Sequence, residues 1–155
     1  MIHSSLVLFW MLKLAPTSPG LPAFEETAES ITEASNKDGD PLDAAATLTA
    51  VGFYESHFVP NAWSKHSDPV RSFGIFQLSL QWIILPAPLS YQAEVALKLV
   101  RDSYARCGSL AMYASGSCKL GREAADDRAK LAWNLKNPAI LEQCLPAIKK
   151  HHGDN

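Results

Sequence analysis

The run Asp40-Pro41-Leu42-Asp43 constrains this chain more than any other four residues, because it reads as the opening of a helix. Asp40 has the side chain of an N-cap, and Pro41 suits the first helical position, where its missing N–H is not needed. Asp43 stands where a capping-box acid reaches back to the cap. Leu42, Ala46, Thr49 and Phe53 then recur on one face at helical spacing, and Pro60 stops continuation soon after Ser56. The pattern predicts a helix from Pro41 to about Ser56.

Around this helix the chain alternates helical patterns with turn chemistry. Leu6 to Leu12 is a short apolar run, far below the roughly 20 residues of a membrane span. No Lys or Arg precedes it, Lys13 follows it, and no small-residue cleavage site is clear, so a first amphipathic helix is preferred over a cleaved leader. Ala15 to Ala23 carries three prolines and a glycine and reads as a connector. Glu25 to Ala34 is expected as a short exposed helix, and Ser35 to Asp40 as a loop. From His57 to Ser79, Phe58, Trp63, Phe73 and Phe76 stand among polar residues without a long period. That segment is expected to be an irregular lobe or small hairpin. Ser90 can cap a helix to about Arg106 with Ala93, Leu97, Val100 and Tyr104 on one stripe. Leu110 to Ala114 and Arg122 to Lys136 are further helices, and a final one carries Leu141, Cys144, Leu145 and Ile148. The fold class expected is mostly α with a small irregular or β-hairpin lobe.

At 155 residues the chain fits one domain. A net charge of -2 supplies no general pull toward nucleic acid or anionic lipid. Lys149, Lys150, His151 and His152 form only a short basic end. Cys107, Cys118 and Cys144 lack the CxxC spacing of zinc or redox sites. They are either buried thiols or include a Cys107–Cys118 bridge across the Gly/Ser-rich segment between them. No metal cluster, phosphate-cradling loop or Ser-His-Asp arrangement stands out, and no cofactor is called for.

The chemistry gathers between Glu55 and Ser79. A glutamate closing a helix meets the partial negative charge of the helix C-terminus, and aromatic neighbours such as Phe53, Phe58 or Phe73 would desolvate it. Both effects raise its pKa and suit a general acid. The ordinary alternative is a solvated helix-end glutamate.

The run Glu55-Ser56-His57, followed by Phe73-Gly74-Ile75-Phe76-Gln77, resembles the active-site segment of goose-type lysozymes and the related SLT-type lytic transglycosylases. Gln77 follows Glu55 at the goose-type spacing without a gap. Leu110-Ala111-Met112-Tyr113-Ala114-Ser115-Gly116 is similar to the later Ala-x-Tyr-Asn-x-Gly motif, with Ala114 in place of asparagine. The resemblance covers Asp40 to about Leu135. It implies a lysozyme-like catalytic domain over residues 40–150, with an N-terminal helix and connector (1–39) packing on it and a tail at 151–155.

The resemblance further implies cleavage of the MurNAc-GlcNAc β-1,4 bond of peptidoglycan, with Glu55 as general acid. Ser56 would brace the acid, and His57 completes the Glu-Ser-His triplet. Phe76 and Gln77 would line the sugar cleft as a strand, with Gln77 offering donor and acceptor, and Tyr113 would bring its hydroxyl near Glu55. Trp63 and His66 stand nearby in the lobe. For Phe76, Trp63 and Tyr113 the ordinary alternative is core packing. Asp68 matches the aspartate that helps place the attacking water, and inverting hydrolysis needs such a base roughly 6.5–9.5 Å from the acid. Equally, Ser67-Asp68-Pro69 is turn chemistry. A second goose-type acid is Ser79 here, so lytic transglycosylation, in which the muramyl 6-hydroxyl replaces water, stands beside hydrolysis. The partners implied are glycan strands met by a monomer, without a membrane span. The setting is the cell envelope or periplasm, or a phage lysis or virion protein, without a convincing signal peptide. A catalytically silent wall-binding or virion module on the same frame is the rival reading.

Overall fold

The computed structural model describes residues 1–16, 20–65, 70–137, 139, 142 and 146. Asp68, His66, Cys144, the apolar positions of the expected last helix and the 151–155 tail lie outside the described residues. The chain is mostly helical with one small antiparallel hairpin, in the order α1 (Ser4–Leu14), α2 (Leu21–Ser35), α3 (Pro41–Ser56), β1 (Ser72–Phe73), β2 (Leu78–Ser79), α4 (Leu89–Cys107), α5 (Ala111–Ser115) and α6 (Arg122–Leu135).

Helix α3 is the axis of the fold. Asp40 caps it by accepting from the Asp43 N–H at 3.1 Å. The reciprocal arm of the expected capping box does not form, because the Asp43 carboxylate is taken by Arg101 and Lys136. Nor does α3 have one apolar face. Leu42 is exposed, whereas every residue from Ala44 to Phe53 is buried. A helix covered on all sides needs small side chains so that neighbours can approach, and Ala44, Ala45, Ala46, Ala50 and Gly52 supply them. The buried hydroxyl of Thr49 is satisfied by the Ala45 carbonyl at 2.8 Å.

The other helices wrap α3 with amphipathic stripes. In α1 the stripe is Val7, Trp10, Met11 and Leu14, spaced to fall on one face. Helix α2 starts earlier than its sequence suggested, with Pro22 in its first turn, and it is not an exposed helix. Phe24, Ala28, Ile31 and Ala34 enter the same core as α1 and α3. The Asn36 side chain ties the two N-terminal helices together, accepting from the Ile2 N–H at 2.8 Å and donating to the Ile2 carbonyl at 3.2 Å. Helix α4 opens at Pro88 without a side-chain cap, so Ser90 lies inside its first turn rather than before it.

Helix α3 ends abruptly. His57 and Phe58 both adopt left-handed backbone, with φ of 53° and 63°. That conformation costs a non-glycine residue roughly 1–2 kcal/mol. Complete burial of the Phe58 ring against Phe24 and Phe53 offsets it. The turn thus delivers Glu55 at the end of the best-buried helix.

The hairpin docks on that end. Its strands pair Ser72 with Ser79 and Phe73 with Leu78. The Gly-hydrophobe-hydrophobe-Gln run, expected as a strand, is instead the turn between strands, closed by the Gln77 N–H on the Gly74 carbonyl at 3.2 Å. Gly74 has φ of 82°, and a Cβ there would meet Gln92 Oε1 at 2.1 Å, so any other residue would be strained in its backbone and would have to displace the Gln92 amide. Ile75 and Phe76 point into the core.

Candidate active site

Glu55 sits one residue before the end of α3, with its side chain 18% exposed. Its neighbour Ser56 donates to the Ile75 carbonyl at 2.9 Å and so pins the hairpin turn beside the acid. Gly52, one turn earlier, leaves room for that turn. A Cβ there would lie 3.0 Å from Ile75 Cγ2.

Across from the hairpin, α6 presents Arg128, whose side chain is 10% exposed. Its Nη2 and Nε donate to the same oxygen, Oε1 of Glu55, at 2.7 and 3.2 Å. Nη1 donates to the Ala124 carbonyl at 2.7 Å, and the guanidinium lies 5.3 Å from the Tyr54 ring centre. Among the described residues Oε2 accepts no hydrogen bond, leaving one carboxyl oxygen for a ligand. Burial pushes the Glu55 carboxyl above its ordinary pKa, and the charge and hydrogen bonds of Arg128 only partly oppose this. The net direction is that of a group poised to hold a proton.

Tyr113 completes the centre. Its hydroxyl donates to the Phe76 carbonyl at 2.7 Å, joining α5 to the hairpin. Burial, then the negative charge of Glu55, raises the phenol well above its ordinary pKa and keeps it protonated. Its backbone N–H donates to Ser103 Oγ at 3.2 Å, and Ser103 in turn donates to the Ser109 carbonyl at 2.8 Å, fixing α5 against α4.

Tyr113 also edges a groove of about 540 Å³. Gln77, Ser79 and Trp82 line one side, and Arg106, Met112 and Tyr113 line the other. Glu55 does not line this groove. The link between them is Tyr113, which lines the groove and whose phenol feels the charge of Glu55. The end of the helical wall is fixed by a Cys107–Cys118 disulfide with Cα atoms 5.2 Å apart, which resolves the two alternatives left by the cysteine spacing.

Of the residues singled out by sequence, Glu55, Ser56, Gln77 and Tyr113 therefore converge. Phe76 does not reach the groove through its side chain, which is buried in the core. Only its carbonyl serves the site, as the anchor for Tyr113. Gln77 faces the groove, but its amide N–H groups are engaged by Ala62 and Gly74 carbonyls at 3.1 and 2.9 Å. It therefore offers a ligand only its oxygen, not the donor and acceptor expected. His57 packs its ring on Phe53 at 5.0 Å as the helix-ending residue. Trp63 lies 4.8 Å from the Phe73 ring and under the Arg71 guanidinium, on the outer side of the hairpin pairing.

Arg128 was not anticipated. Its signal was nonetheless present, because it falls on the stripe Ala125, Arg128, Leu131, Ala132, Leu135, a charge where helical spacing calls for an apolar residue. Among the described residues no cluster of His, Cys, Asp and Glu is placed to hold a metal ion, and no helix is long and apolar enough to cross a membrane. The chain matches no family model, no curated protein and no solved structure.

Proposed function

We propose that this chain cleaves the glycan backbone of peptidoglycan at the MurNAc-GlcNAc β-1,4 bond, with Glu55 as proton donor. The observation that carries the reading is a helix-end carboxyl pushed upward in pKa by burial, even with an arginine bound to it. The neighbours of that carboxyl, the hairpin turn and Tyr113, are the ones the lysozyme-like resemblance calls for.

In this mechanism Glu55 gives its proton to the glycosidic oxygen as the bond from that oxygen to C1 breaks. In the transglycosylation route the muramyl 6-hydroxyl oxygen bonds to C1, and its proton returns to Glu55, restoring the acid and leaving a 1,6-anhydro end. In the hydrolytic route water supplies the oxygen and the product has a reducing end. Arg128 stabilises the glutamate after it has lost its proton, and Oε2, which Arg128 leaves unbonded, is the oxygen that would carry the proton. Ser79, where goose-type enzymes carry a second acid, lines the groove as a hydroxyl, so hydrolysis would rest on Asp68 alone. The Cys107–Cys118 bridge supports an oxidising compartment such as the envelope.

A second reading, a catalytically silent wall-binding or virion module, draws on one feature. Two donors from Arg128 favour an ionised Glu55, and an ionised Glu55 cannot protonate a leaving group.

Turbidity loss of purified sacculi separates the two. The wild type is expected to lyse them and Glu55→Gln to be slower by about 100-fold or more. Equal lysis by the variant would remove Glu55 from its role, and no lysis by the wild type would leave the silent module. Mass spectrometry of the fragments then distinguishes anhydro from reducing ends. Asp68→Asn is expected to cripple a hydrolase and to affect a transglycosylase only mildly.

A further inference from the structure

We infer that the groove beside Tyr113 recognises the peptide carried by the muramyl sugar, through Arg106 and Asp102 of α4. This deepens the glycan-cleavage reading and rests on it. No charged residue occurs between Arg71 and Glu94, so the hairpin side of the groove offers only uncharged groups, among them Gln77, Ser79 and the exposed ring of Trp82. Such a wall suits N-acetyl sugars, which are neutral and are held by stacking and single hydrogen bonds.

The opposite side is different. Among the described residues that line the groove, the charges are Asp102 and Arg106. They are four positions apart on one helix face, where an acid and a base ordinarily close on each other. Both are exposed, and among the described residues neither forms an ion pair. An unengaged guanidinium is a fork for a carboxylate, and a carboxylate one helical turn away receives an ammonium. A glycan strand whose lactyl carboxyls are amidated offers a partner to neither charge, and no glycan of N-acetyl sugars offers an ammonium to Asp102. A stem peptide containing a diamino acid carries both a free carboxylate and a free amine, and matches both charges at once. The wall bearing them is fixed, since the Cys107–Cys118 bridge ties the end of α4 to the segment after α5 and Ser103 ties α4 to α5. Fixed placement is what allows two charges to discriminate between ligands.

The test is a calorimetric titration with two soluble probes: a muramyl disaccharide bearing a diamino-acid tetrapeptide, and the same disaccharide with its lactyl carboxyl capped as a simple amide in place of the peptide. The wild type is expected to bind the peptide form about tenfold more tightly. Arg106→Ala is expected to lose that preference while its affinity for the capped disaccharide stays within about twofold. Acetylating the free amine is expected to weaken binding to the wild type and to leave Asp102→Asn indifferent. Equal affinity of the wild type for both probes, or an undiminished preference in Arg106→Ala, overturns the inference. Sacculus lysis, measured separately, reports on the cleavage reading. Active lysis with equal binding sinks this inference alone, whereas a preference without lysis keeps peptide recognition and sinks cleavage.

Discussion

At the N-terminal end of α3, Asp38 and Asp43 meet Arg101 and Lys136; at its C-terminal end, Glu55 meets Arg128. Similar pairs give opposite results. Hydrogen bonds from Arg101 hold the Asp38 carboxyl below its ordinary pKa. Burial pushes Asp43 upward, but Lys136 and Arg101 together outweigh it and the net direction is down. At Glu55 burial wins and the direction is up. The difference lies first in how strongly burial acts, and then in how donors are distributed. Both oxygens of Asp38 and both of Asp43 are bonded, Asp43 by two separate cations. Glu55 is bonded at one oxygen by one arginine. The helix adds to the contrast, since its N-terminus favours anions and its C-terminus opposes them. A salt bridge therefore does not by itself fix a carboxylate's charge; the balance between burial and the donors that cover its oxygens does.

The largest way to break this contrast is Arg128→Ala. It strips the only cation bonded to Glu55 among the described residues and is expected to cost about 3–5 kcal/mol in urea unfolding, the usual loss when one partner of a buried pair is removed. The Glu55 pKa should rise further, because only the opposing cause is removed. Adding Glu55→Gln should restore part of the stability, and a double mutant no better than Arg128→Ala would mean the pair is not coupled.

Arg101→Ala at the other end is expected to cost only about 1 kcal/mol, because that cluster is partly solvated. High salt should shrink this cost and leave that of Arg128→Ala nearly unchanged. Equal salt sensitivity of the two variants would contradict the assigned difference in burial.

The smallest effects are in pH dependence, and they have opposite signs. Asp38 and Asp43, with depressed folded pKa values, contribute stability above the ordinary carboxylate range that is lost as pH falls through their folded values. Glu55, with a raised folded pKa, favours the fold when protonated. Its contribution declines as pH rises from the ordinary carboxyl range through its folded value. Both variants should therefore depart from the wild type as pH rises through the carboxyl range, Arg101→Ala losing stability relative to it and Glu55→Gln gaining. Departures of the same sign would collapse the distinction.

What could be read from the sequence was what local chemistry decides. Asp40 and Pro41 start α3 because a cap and an N-terminal proline act within one turn. The stripe of α4 was legible for the same reason. Covering α3 on every side, burying α2 and exposing Leu42 depend on which elements meet, and no window of sequence holds that. The site divides similarly. Glu55 and Tyr113 stood out by motif, but Arg128 reaches Glu55 from far along the chain. The roles of Phe76 and Gln77 also turn on long-range bonds, a carbonyl taken by Tyr113 and an amide taken by Ala62.

What the site can do chemically turns on whether one side chain, Glu55, holds a proton. Carbon-detected titration of the Glu55 carboxyl in the intact protein, assigned by its disappearance in Glu55→Gln, measures it. The predicted midpoint lies above the ordinary value of 4.5. A midpoint at or below that value would mean that Arg128 holds Glu55 as a carboxylate and that the site has no acid to give.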